Sequence, residues 1–377
     1  MIYLDNAATS FPKPPRVYDE VVNCIKNYGA NPGRGTYDMS IRSEAKVMET
    51  REKICELFNI KSPFNIIFTS NATQALNIGI KGLLSYHDHV ITTVIEHNSV
   101  LRPLYSLSQN EVEVSIIGVD KCGYVNIKDI ENEIKSNTKL IIINHASNVL
   151  GTIQNINKIG EIAHSKGIKF MVDASQSAGS VPIDVEKYHI DLLAFSGHKG
   201  LYGIQGIGGL FVREGIHLKN FIEGGTGSES HSMIQPNFMP DKFESGTLNI
   251  PGIAGLCEGI KFIRSLGMEK IRKHENELSE YLLEELKKLP YIKSYGGDSQ
   301  MDRTSVISFN MDNIDASIVG EELNKCEISV RTGYHCAPLI HNIIGTEYAG
   351  TVRVSFGYFN TFDDIEKLLE SLIRLAQ

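Results

Sequence analysis

Short apolar runs alternate with stretches of helical periodicity from Ile66 to Arg213. The runs are residues 66–69, 90–94, 114–117, 140–143, 170–172, 192–195 and 209–212. Continuous apolarity, rather than in–out alternation, marks strands covered on both faces. Between them, residues 72–84, 99–109, 127–135 and 156–166 place apolar side chains at helical spacing, which predicts amphipathic helices. This order predicts an α/β fold whose seven-stranded sheet is mostly parallel, joined by right-handed crossovers.

The pattern changes after Gly246. Helices are expected at 253–266, 268–289, 315–325 and 363–375, with strands at 304–309, 328–331 and 352–356. They read as a smaller α+β domain. The cluster Phe11-Pro12-Lys13-Pro14-Pro15 turns the chain early, so residues 1–14 are expected to join 251–377, leaving 15–250 as the large domain. A chain of 377 residues suits two such cores.

Charge narrows the partners. The net charge is -8 and there is no Trp, nor any basic cluster interleaved with aromatics, which argues against nucleic acid and anionic membranes. No apolar run approaches the ~20 residues of a membrane span. Residues 1–6 have neither a basic nor an apolar leader, and the 6 cysteines form no C-x-x-C pair. The expectation is a cytoplasmic protein with free thiols and no metal site. His87 and His89 read as solvated residues of a polar loop.

Candidate chemistry gathers at the strand ends. The run 170–172 leads into Asp173-Ala174-Ser175-Gln176, and the run 192–195 into Ser196-Gly197-His198-Lys199. A carboxylate at one strand end and a lysine at the next is the layout pyridoxal phosphate needs. The lysine bonds the cofactor aldehyde, and the carboxylate keeps the pyridine nitrogen protonated. Ser70-Asn71-Ala72-Thr73-Gln74 opens a helix and is either an ordinary cap or a phosphate cradle. His97, closing another strand, is either a ring-stacking proton shuttle or a structural histidine. The glycine run 203–209 precedes a strand and opens no helix, which excludes a dinucleotide loop and suggests a turn beside the lysine.

Arg331-Thr332-Gly333-Tyr334-His335-Cys336-Ala337-Pro338 is the second signal. Positive charge from Arg331, with His335 adjacent, would favour a Cys336 thiolate. The other five cysteines mostly lie in apolar helical or strand patterns. Arg353 is either a carboxylate clamp or a surface residue at a strand end.

Taken together, these motifs resemble the class V aminotransferase family, and within it the group II (SufS-like) cysteine desulfurases and selenocysteine lyases. The resemblance runs from Tyr3-Leu4-Asp5-Asn6-Ala7-Ala8 to the last helix. It implies a fold-type I pyridoxal phosphate enzyme, usually a homodimer with active sites at the interface. Lys199 would hold the cofactor and carry the Cα proton. Asp173 would pair with the pyridine nitrogen, Gln176 with the ring hydroxyl, and His97 would stack on the ring. Ser196, His198 and the Asn71, Ala72, Thr73 turn would hold the phosphate, with Thr247 reaching the partner's phosphate. Asn148 would lie near cofactor and substrate, and Arg353 would bind the substrate carboxylate. The implied reaction converts L-cysteine to L-alanine and leaves the sulfur on Cys336 as a persulfide for an acceptor, either a small carrier protein or a free thiol. The alternatives are a selenocysteine lyase, another β-lyase or aminotransferase, and a non-catalytic pyridoxal phosphate-binding protein.

Three departures from the family pattern stand out. Asn71-Ala72-Thr73 replaces the common Gly-Thr-Thr, the stretch from Gly225 to Phe243 is short, and the cysteine motif continues as Ala337-Pro338-Leu339-Ile340-His341.

Overall fold

The computed structural model describes residues 1–33, 35–298 and 302–377. In chain order its strands are β1 (Ile2–Tyr3), β2 (Ile66–Thr69), β3 (His89–Thr93), β4 (Glu113–Ile117), β5 (Thr138–Asn144), β6 (Lys169–Asp173), β7 (Leu192–Ser196), β8 (Gly208–Val212), β9 (Ile292–Tyr295), β10 (Val306–Met311), β11 (Ile328–Ser329), β12 (Arg331–Gly333) and β13 (Thr351–Ser355).

The large sheet is seven-stranded, in the order β2-β8-β7-β6-β5-β3-β4. Only β8 runs antiparallel, pairing with β2 and β7 in that sense. Side chains in the sheet centre alternate between two separate cores. Ile141, Ile143, Phe170, Val172, Leu193 and Phe195 enter one. Leu140, Ile142, Met171, Leu192 and Ala194 enter the other. Both faces are therefore covered, and the runs are apolar throughout. The exception is β4, which ends the sheet and leaves Ile116 47% exposed, against the expectation of two-sided cover.

Helices Pro15–Asn27 and Asp38–Phe58 have no counterpart in the sequence reading. They pack on the helix Ile250–Leu266, whose Ile253, Leu256, Ile260 and Ile263 share one core with Ile54 and Phe58. Gly267, at a φ of 86°, caps this helix.

The smaller unit has a four-stranded antiparallel sheet, β12-β13-β10-β9. Helices Met268–Lys287, Ala316–Lys325 and Phe362–Leu375 cover it, burying Leu278, Leu282, Val319 and Leu368 against Phe309 and Val354. Leu4 belongs to this core, and β1 pairs in parallel with β11, so the first residues join the small domain. The expected strand at 328–331 splits in two: β11 binds β1, while β12 binds β13. The helix expected at 127–135 stops at Asn132. His89 is not a solvated loop residue: it opens β3, fully buried, between Thr138 Oγ1 at 2.7 Å and Ser115 Oγ at 3.0 Å. Among the described residues no helix is long and apolar enough to cross a membrane.

Candidate active site

The parallel strands β5, β6 and β7 end in Asn144, Asp173 and Ser196, all buried. Carboxyl ends of parallel strands are where open α/β sheets form their ligand crevices. A cavity of about 100 Å³ opens there. Asn71, Ala72, Thr73, His97, Asn148, Asp173, Gln176, Ser196, His198 and Lys199 all line it. Thr247 is exposed and is not part of that lining.

Each wall is fixed locally. Asp173 Oδ1 accepts from Ser175 N at 2.9 Å and Ser175 Oγ at 2.5 Å, a tight turn that holds the carboxylate still. Burial lowers the Lys199 amine to about 8; Asp173 opposes the drop, and Arg353 and Arg331 deepen it. Burial likewise lowers His97 to about 4, so its imidazole is neutral at pH 7. Its Nδ1 accepts from Ser99 N at 3.0 Å, which places the ring proton on Nε2. Ser99 Oγ in turn meets Thr73 Oγ1 at 2.7 Å, tying the imidazole to the turn at residue 73.

That turn is the entry to the helix Ala72–Leu83. Asn71 caps it by accepting from Gln74 N at 2.9 Å, which leaves the N–H groups of Ala72 and Thr73 for an anion. The turn lies directly on β8: a Cβ at Gly208 would stand 2.7 Å from the Asn71 carbonyl carbon. Glycine at 208 is what permits the approach.

The cysteine loop comes from the small domain and is bonded to the cavity walls. Asn98 N donates to the Cys336 carbonyl at 2.7 Å, and Asn148 Nδ2 to the His335 carbonyl at 2.5 Å. Gly333, His335 and Cys336 have φ of 103°, 49° and 59°. Non-glycine residues in this region cost of order 1–3 kcal/mol each and cluster at functional loops. His335, adjacent to Cys336, adds no positive charge there. It is 4% exposed, and burial, reinforced by Arg353, lowers it to about 2, leaving it neutral.

Arg353 is buried on β13, opposite Arg331 in the sheet register. Its Nη1 donates to the Asn148 carbonyl at 3.1 Å and its Nη2 to Asp5 Oδ1 at 2.7 Å, while Nε has no partner. A substrate carboxylate would thus meet an arginine already oriented by Asp5. Asp5, Ser99 and Ser175 were not singled out from sequence. A serine two positions after His97 or Asp173 is a legible turn signal, whereas nothing local marks Asp5.

The donor set fits pyridoxal phosphate. A carboxylate suits the pyridine nitrogen, an amine the aldehyde, a neutral imidazole the ring face, and a free helix N-terminus the phosphate. Asn148 Oδ1 and His198 Nδ1 are buried without partners, polar atoms that a ligand would satisfy. The model of the aminotransferase class-V family matches residues 2–368. The chain belongs to the class-V aminotransferase family. Among its relatives, a probable cysteine desulfurase from Methanothermobacter thermautotrophicus is 36% identical over 384 residues, covering 100% of this chain and 94% of the relative. The apo structure of a cysteine desulfurase from Thermococcus onnurineus NA1 superposes with a TM-score of 0.94 at 34% identity, covering 99% of this chain and 94% of that one. An Escherichia coli cysteine desulfurase in an S-sulfonic acid form gives 0.90 at 26% identity, with coverages of 99% and 94%. The α/β architecture with its mostly parallel sheet is that of these cysteine desulfurase structures.

Proposed function

We infer that this class-V enzyme is a pyridoxal phosphate-dependent cysteine desulfurase. L-Cysteine and the Cys336 thiol become L-alanine and a Cys336 persulfide. The substrate Cβ–S bond breaks and an S–S bond forms; Cβ keeps the bonding pair and gains a proton, so no outside oxidant is needed. The observation that carries the reading is the Asn98 N to Cys336 carbonyl bond, which ties a strained cysteine loop to the residue beside His97.

Pyridoxal phosphate, when bound, draws off the electrons freed at the substrate Cα. Asp173 would hold the proton on the ring nitrogen, Gln176 would meet the ring hydroxyl and His97 would cover the ring. The Ala72 and Thr73 N–H groups, with Asn71, Ser196 and His198, would bind the phosphate. Lys199 retains the cofactor at rest, and its buried amine moves the Cα proton in turnover. Arg353 and Asn148 orient the substrate, the Arg353 guanidinium donating to the substrate carboxylate.

We place the enzyme in the reducing cytosol as a homodimer that passes sulfur to an acceptor protein. The exposed Thr247 is free to reach the phosphate of a partner subunit. The test is alanine formation by the holoenzyme from L-cysteine without added keto acid. Alanine that formed only with added pyruvate, with mercaptopyruvate as co-product, would make the enzyme an aminotransferase. Turnover of L-selenocysteine alone would make it a selenocysteine lyase.

A further inference from the structure

Lys13 is 6% exposed and has no carboxylate within ion-pair distance among the described residues. A buried ammonium without a counter-charge is costly, and its position is then decided by the dipoles it binds. Its Nζ donates to the His198 carbonyl at 2.7 Å and to Ser10 Oγ at 2.8 Å. The same carbonyl accepts from Thr9 Oγ1 at 3.0 Å and Ser10 N at 3.1 Å, and Ser10 Oγ donates to the Lys199 carbonyl at 2.9 Å. The other end of this arm is bound to the small domain: Ala7 N donates to Ser355 Oγ at 2.8 Å, and Asp5 pairs with Arg353.

We propose that Lys13 is a positioning residue for Lys199, its Nζ fixing the His198–Lys199 peptide to the N-terminal arm that also orients Arg353. The inference rests on the desulfurase reading for its kinetic arm only. Burial lowers the Lys13 amine to about 7, and its charge is among those that lower His198. Small misplacements of a catalytic group cost up to ~10²-fold in rate, so the anchor of the Lys199 backbone matters.

The test compares holoenzyme with Lys13→Met and Lys13→Arg, reading kcat, KM, melting temperature and the pH midpoint of the bound cofactor's visible absorbance. Lys13→Met should lower kcat about tenfold while KM moves less than about twofold. Its absorbance midpoint should shift, since the backbone that carries Lys199 has lost its anchor. Lys13→Arg, which keeps a cationic donor, should recover most of kcat. Should neither fold, Ser10→Ala removes the hydroxyl that relays Lys13 to the Lys199 carbonyl and should lower kcat in the same sense. An unchanged kcat and midpoint in Lys13→Met would overturn the proposal. So would equal losses in both Lys13 variants that track melting temperature and cofactor content, which would mark a packing role alone. If the wild type makes no alanine from cysteine, the desulfurase reading fails, and the absorbance midpoint still judges Lys13.

Discussion

His97, Lys199 and Arg353 owe their character to burial rather than to residue type. The first two are pushed toward their neutral forms, and Arg353 is kept in place by Asp5. Removing that partner leaves an uncompensated buried guanidinium, so Asp5→Asn should raise the KM for L-cysteine by about tenfold. Steady-state kinetics of the holoenzyme would check it, and an unchanged KM would detach Asp5 from the site. Arg353→Lys should do at least as much harm, because an ammonium cannot replace a planar fork. At this scale the strand-end residues were legible: Asp173, Ser196 and Lys199 follow buried apolar runs, and all three line the cavity. The neutrality of His335 was not legible, since its burial is set by residues of other elements. Nor was the Asp5–Arg353 pair, whose members lie 348 positions apart.

Helices and strands set the limits within which those side chains act. Gly208→Ala would drive a Cβ into the Asn71 turn, whose backbone cannot yield cheaply. The variant should bind pyridoxal phosphate at least ~10-fold more weakly with little change in secondary structure, as fluorescence titration of apoenzyme would show. On the helix Met268–Lys287, Glu275 is 8% exposed and burial raises its carboxyl to about 8. The folded state therefore holds a proton that the unfolded chain releases above the usual carboxylate range. The stability this gives is complete at acid pH and is lost as pH rises toward about 8. Glu275→Gln should remove that loss, making the protein more stable than wild type at pH 8.5 by about 1 kcal/mol or more. Denaturant melts at pH 5 and pH 8.5 would check the difference between the two proteins. Sequence revealed the central strands because both faces are buried and β-branched residues fill them. It missed Pro15–Asn27, which buries only Val17 and Cys24, and Asp38–Phe58, which buries Ser40, Ser43, Thr50 and Arg51 beside its apolar residues.

For the whole molecule, Ile250–Leu266 packs into the large core before the chain reaches Gly267. The two units meet where the N-terminal arm and the cysteine loop of one reach the strand ends of the other. Their closeness is what turns a cofactor cavity into a candidate sulfur-transfer site. Thr247, exposed in the single chain, gives a test of assembly. Co-expressed Lys199→Ala and Thr247→Ala chains should form hybrids with one intact site, giving more activity than either variant alone; additive activity would argue against a shared site. The most direct measurement concerns Cys336. Holoenzyme given one equivalent of L-cysteine, without reductant, should yield alanine and a Cys336 peptide heavier by one sulfur atom, and Cys336→Ser should yield neither at an appreciable rate. Alanine released by Cys336→Ser at the wild-type rate, or sulfur found on another cysteine, would contradict the assignment.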